Sequence, residues 1–138
     1  MLSRRDARAV LTQGVAVKIL VVDDSLAIRQ QVGVALARAG YAIVEAADGI
    51  QGLCALSAQP DVAMVICDVN MPNLNGLEML LELKADPRNA DLPVLMLTTE
   101  GRSDLIQQAK RSGAKGWIVK PFKPDQLVAA VRKILGKS

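Results

Sequence analysis

Two hydrophobic periods alternate along this chain. Lys18–Val22 (KILVV), Val62–Cys67 (VAMVIC), Pro93–Leu97 (PVLML) and Lys115–Val119 (KGWIV) are short runs of aliphatic and β-branched residues. Runs of that length and make-up suit strands covered on both faces. Tyr41–Ala46 is a weaker run of the same kind. Between the runs the spacing changes to three and four. Ile28, Val32, Ala35, Leu36 and Ala39 mark a helix that Ser25 caps and Gly40 ends in a left-handed conformation. Asp48-Gly49 turns into a second helix, with Ile50, Leu53, Cys54 and Leu56, that Pro60-Asp61 stops. The turn-rich stretch Met71 to Gly76 leads into a third helix over Leu77 to Ala85, broken by Asp86-Pro87-Arg88. Ser103 is placed to cap a fourth helix ending at Gly113. Pro124 suits the first position of a fifth, which closes near Gly136. Five successive strand–helix units predict an α/β fold, a doubly wound five-stranded parallel sheet with five helices. Residues 18–138 then form one domain. Residues 1–17, with Arg4, Arg5 and Arg8, are expected to be a flexible extension without chemistry of their own.

Composition narrows this little. A chain of 138 residues buries roughly two thirds of its unfolded surface, enough for one core without staples. Aromatics are only 2%, so the core must be aliphatic. The net charge of +3 identifies no partner. The basic carboxyl-terminal third, including Lys123 and Arg132, reads as solvated helix faces rather than a nucleic-acid surface. Cys54 and Cys67 both lie in apolar segments and read as buried core thiols. The absence of His excludes His-based triads and argues against zinc. No apolar run nears the ~18 residues of a membrane span, and the basic N-terminus lacks the apolar stretch of a signal peptide. A cytoplasmic monomer is expected.

The chemistry sits where the strands stop. KILVV ends on Asp23-Asp24, VAMVIC on Asp68, PVLML on Thr98-Thr99 and the last run on Lys120-Pro121. Parallel strands bring those residues to one edge, where open α/β sheets place ligands. Two carboxylates ~4 Å apart repel by about 4 kcal/mol at an effective dielectric of 20. Three of them therefore call for a cation beyond Lys120. Mg²⁺ suits, since it takes one or two carboxylates, keeps waters and bridges to phosphate. Phosphoryl transfer is mostly positioning and charge neutralisation. Lys120 and the Thr98 hydroxyl could each take one phosphoryl oxygen, and Asp68, on a central strand, is the best nucleophile.

The segments VVDDS, DVNMPNLNG, PVLMLTTE and GWIVKPF together resemble a response-regulator receiver domain of the chemotaxis CheY-like type, over Lys18 to about Leu135. The resemblance implies a flavodoxin-like strand order 2-1-3-4-5. It implies that Asp68 accepts a phosphoryl group from a histidine kinase, and that Asp24, Asp68 and the Asn70 carbonyl bind Mg²⁺ directly with Asp23 acting through water. It gives Lys120 to the phosphoryl oxygens, makes Thr98 and the aromatic position, here Trp117, the switch, and likens Pro121 to a cis-proline. The family normally has Tyr or Phe where Trp117 stands, so the ring either swings inward or stays packed outside. Asn70 and Glu100 resemble positions that tune hydrolysis, and with the small Thr99 they imply a short-lived phosphoform.

On this reading the chain is a stand-alone binding switch in a two-component phosphorelay. It is not an enzyme beyond its own phosphotransfer and autodephosphorylation. Its face from Arg102 to Leu135 meets a protein such as a flagellar motor switch, or it serves another phosphorelay. A Mg²⁺-dependent phosphohydrolase would instead carry its nucleophile on the first strand. A flavin carrier would need a neutral phosphate loop where Asp23-Asp24 stand.

Overall fold

Strand alternation sorts the core into two layers before any helix is added. A computed structural model describes residues 16–136. Within them the strands are β1 (Lys18–Val22), β2 (Ala42–Ala46), β3 (Val62–Cys67), β4 (Val94–Thr98) and β5 (Gly116–Val119). All neighbouring pairs are parallel, in the order β2-β1-β3-β4-β5. Successive side chains point to opposite faces. Leu20, Val22, Val65, Cys67 and Met96 therefore share one buried layer. Ile19, Val21, Met64, Ile66, Leu95 and Leu97 share the other. The helices α1 (Leu26–Arg38) and α5 (Pro124–Leu135) cover the second layer through Val32, Leu36, Leu127 and Val131. The helices α2 (Gly49–Ala58), α3 (Gly76–Ala85) and α4 (Ser103–Arg111) cover the first, with Leu56, Met79, Leu83 and Ala109. A short 3₁₀ turn, Pro87–Asn89, links α3 to β4.

The chain leaves β1 toward β2 and returns on the far side of β1 as β3. Two neighbouring strands thus send their connections in opposite directions, which opens a crevice at their carboxyl ends. Val22 of β1 and Cys67 of β3 are register partners. The next residues, Asp23 and Asp68, flank that crevice. Backbone bonds carry the order past the strands: Asp23 N donates to the Ala46 carbonyl at 3.1 Å, and Asp68 N to the Val22 carbonyl at 3.0 Å. On the outer side, Lys120 N donates to the Thr98 carbonyl at 2.8 Å.

The expected elements are all present, with ends shifted by a residue or two. Gly40 follows α1 at φ 96°, the left-handed region that glycine enters freely. Pro124 opens α5. Two expectations fail. Ser103 is the first helical residue of α4, not its cap; that position belongs to Arg102, which makes no side-chain capping bond. Cys54 is exposed, as is Ile50 four residues earlier, because α2 turns Leu56 and its small glycines inward instead. Cys67 is buried as expected. Most of the expected extension, residues 1–15, lies outside the described residues. No helix among the described residues is long and apolar enough to cross a membrane.

Candidate metal and phosphoryl site

Asp23 follows four buried strand residues and is itself buried, at 2% exposure. Each of its polar atoms is engaged. Oδ1 accepts from Ser25 N at 2.9 Å, Oδ2 from the Lys120 ammonium at 2.7 Å, and the carbonyl from Arg29 Nη1 at 2.6 Å. Arg29 also donates to Glu45 at 2.9 Å, which ties the start of α1 to β2. Asp68 is 7% exposed and takes a second, longer bond from Lys120, 3.4 Å to Oδ2. Asp24 faces solvent. One carboxylate oxygen from each of Asp23, Asp24 and Asp68 falls within 4.8 Å of the others. Lys120 reaches the cluster from beyond β5, two strands away from Asp68, and its peptide bond to Pro121 is cis.

Three carboxylates against one ammonium leave the cluster with excess negative charge. The strain falls on Asp23. Burial holds its carboxyl above the usual range for an aspartic acid, against the opposing pull of Lys120 and the Ser25 N–H, and Asp68 adds to the rise. The Cys67 thiol beside Asp68 is pushed up as well, by burial first and then by the neighbouring carboxylates. A buried, all-oxygen, net-negative cluster with one open side at Asp24 fits a hard divalent cation that keeps water on its exposed face.

The loop after β3 is built around close backbone approaches. Gly76 N donates to the Val69 carbonyl at 2.9 Å, and a Cβ on Gly76 would be driven into the Asp68 carbonyl oxygen. Asn70 lies in this loop, its N–H a long 3.4 Å from Asp68 Oδ1. Asn75 and Glu78 form a capping box that starts α3. On the other side of the site, Thr98 is wholly buried and its Oγ1 accepts from Glu100 N at 3.2 Å. The Glu100 carbonyl accepts from Trp117 Nε1 at 2.8 Å. Trp117 is half-buried against the layer that contains Met96 and Ala109.

The structure thus brings Lys120 into contact with Asp23 and Asp68, and sets an oxygen of the exposed Asp24 within 4.8 Å of the other two carboxylates. It sets Asn70 beside Asp68 and links Thr98 and Trp117 through Glu100. Sequence reasoning passed over Arg29, and it assigned Asp48 only a turn or cap. Asp48 does cap α2, accepting from Gln51 N at 2.8 Å, and it also accepts from Asn73 Nδ2 at 2.8 Å. A usable signal existed: Asp48 comes two residues after the second apolar run, Tyr41–Ala46, so it reaches the same sheet edge as the other strand-end residues.

Comparison with known proteins agrees with the fold and the cluster. Residues 19–132 match the response regulator receiver domain. Chemotaxis protein CheY1 of Helicobacter pylori is 38% identical over 120 residues, covering 86% of this chain and 97% of that protein. Among solved structures, chemotaxis protein CheY4 of Vibrio cholerae is 39% identical with a TM-score of 0.82, covering 86% of this chain and 98% of the other. The Borrelia burgdorferi CheY solved in a CheX–CheY–BeF3–Mg complex is 27% identical, with a TM-score of 0.81 over 86% of this chain and 88% of that one. The chain belongs to the response regulator receiver domain family and is CheY-like: a signalling protein, not a classical enzyme, of a kind that is phosphorylated on aspartate.

Proposed function

We propose that this receiver takes its phosphoryl group on Asp68, in a Mg²⁺-dependent transfer from the phosphohistidine of a chemotaxis-type histidine kinase. One observation carries the reading. Asp68 directly follows the central strand β3, with the Lys120 ammonium 3.4 Å from its Oδ2 and two further carboxylates within 4.8 Å. In the transfer an Asp68 carboxylate oxygen bonds to phosphorus while the phosphorus–nitrogen bond breaks, and its electron pair leaves with the imidazole. Asp24, Asp68 and the Asn70 carbonyl would hold Mg²⁺, with Asp23 acting through water. The ion supplies neutralisation of phosphoryl charge when bound.

The protein's own groups do the rest. Lys120 shifts from pairing Asp23 and Asp68 to pairing a phosphoryl oxygen. Thr98 gives up its bond from Glu100 N and donates its hydroxyl to another. That change reaches Trp117 through the Glu100 carbonyl, and so alters the face formed by α4, β5 and α5. Asn70, Glu100 and the small Thr99 leave the acyl phosphate open to water, so the phosphoform is short-lived and autodephosphorylation resets the switch. The altered face would meet a cytoplasmic protein target such as a flagellar motor switch. Incubation with a phosphorylated kinase and Mg²⁺ should label the wild type and leave Asp68→Asn unlabelled. Wild-type stoichiometry of label on Asp68→Asn would refute the acceptor assignment.

A further inference from the structure

The loop that carries Asn70 is held on two sides, at its base next to Asp68 and at its far side on the start of α2. Its base is fixed where Gly76 N meets the Val69 carbonyl at 2.9 Å. Its far side is held by α2, whose start lies one strand outward from the crevice. Asn73 stands at φ 68°, in the left-handed region that Asn tolerates better than most residues. Its Nδ2 donates to Asp48 Oδ2 at 2.8 Å. The next residue accepts from the same helix start, Gly49 N to the Leu74 carbonyl at 3.1 Å. A Cβ on Gly49 would lie 2.5 Å from that carbonyl oxygen, so the loop and the helix start are in backbone contact. The other oxygen of Asp48 is occupied by Gln51 N at 2.8 Å, and the side chain is buried, so its direction is fixed.

The arc from Asn70 to Asn73 therefore spans two anchors, and the Asn70 carbonyl sits between them. A backbone ligand cannot rotate to meet an ion as a side chain can. Its place is set by whatever holds the loop. We infer that the Asp48–Asn73 hydrogen bond is a latch that positions the Asn70 carbonyl and thereby sets the Mg²⁺ affinity of the Asp23–Asp24–Asp68 cluster. This rests on the metal assignment proposed above. Asp48 and Asn73 are positioning residues: each acts through the loop.

Isothermal titration of Mg²⁺ into the full chain tests it. Asn73→Gly removes the amide and keeps a residue at ease with positive φ. Asp48→Asn keeps an acceptor for Gln51 N, since Asn caps helices as well as Asp, but turns the oxygen facing Asn73 into a donor. Each should weaken Mg²⁺ binding by about tenfold, the lower end for partners that orient metal ligands. The exchange Asp48→Asn with Asn73→Asp restores the bond with its direction reversed and should recover most of that loss. A role confined to capping α2 would lower the melting temperature without Mg²⁺ and leave the affinity untouched. Wild-type affinity in Asn73→Gly, which disturbs no cap, overturns the latch even if Asp48→Asn does not fold. An Asp68→Asn control separates the two claims. If wild type binds Mg²⁺, Asp68→Asn does not, and the latch variants match wild type, only the latch fails. If Asp68→Asn binds as tightly as wild type, the metal assignment fails and the latch with it.

Discussion

Asp23 is held in an environment that disfavours its charge, because burial outweighs the pull of Lys120 and the Ser25 N–H. A carboxyl whose pKa is raised on folding binds its proton more tightly in the folded protein than in the unfolded chain. Without metal, Asp23 thus adds stability as pH falls through its raised pKa and loses it above. Metal binding has the opposite sense, because the proton competes with the cation. Mg²⁺ affinity should therefore begin to fall at a higher pH than an ordinary aspartate would give, and titrations over a pH series check this. A constant affinity down to the ordinary aspartate range would show that Asp23 does not face the ion. Residues of this class were legible in the sequence because each terminates an apolar run: Asp23, Asp24, Asp68, Thr98 and Lys120. The Asp48–Asn73 bond was not. Its partners lie 25 residues apart and meet only through tertiary packing. Cys54 was misread because α2 is apolar on more than one face, and spacing alone does not say which face is buried.

At the scale of elements, the helices differ most in how they begin. Asn75 and Glu78 cap α3 reciprocally, and Asp48 caps α2. α4 has no such device: Arg102 occupies the cap without a side-chain bond, and its guanidinium pairs with Asp104 at 2.7 Å on the exposed surface. An exposed pair of this kind contributes little. Arg102→Asn should stabilise the protein by ~1 kcal/mol by filling the cap, measured by denaturant unfolding, and should slow amide exchange at the start of α4. Unchanged exchange there would mean that α4 is not limited at its N-terminus. The weak cap falls beside Glu100, within the segment proposed to respond to the phosphoryl group, where a low-stability helix start favours movement. Element order was legible from the two periods, while the boundary at Ser103 was not. Ser is a good cap by type, but the Arg102 carbonyl already accepts the first helical bond, from Ile106 N at 3.1 Å.

For the whole molecule, the two buried layers fix the strand ends and the strand order fixes which ends meet. β1 and β3 are neighbours although the chain visits β2 between them, and that inversion brings Asp23 beside Asp68. The parallel sheet followed from alternation of strands and helices. The order 2-1-3-4-5 followed from resemblance alone, since spacing cannot say on which side of β1 the third strand returns. The same edge also receives Asp48 from β2 and Lys120 from β5, so every strand of the sheet contributes a group to the site or its support. The central claim is that this convergence makes Asp68 the phosphoacceptor. The most direct measurement is to label the wild-type protein from a phosphorylated histidine kinase, with and without Mg²⁺, and locate the modification by tandem mass spectrometry. The predicted result is a single modification on Asp68, formed only with Mg²⁺. Label on Asp23, Asp24 or Thr98, or equal labelling of Asp68 without the metal, would contradict it.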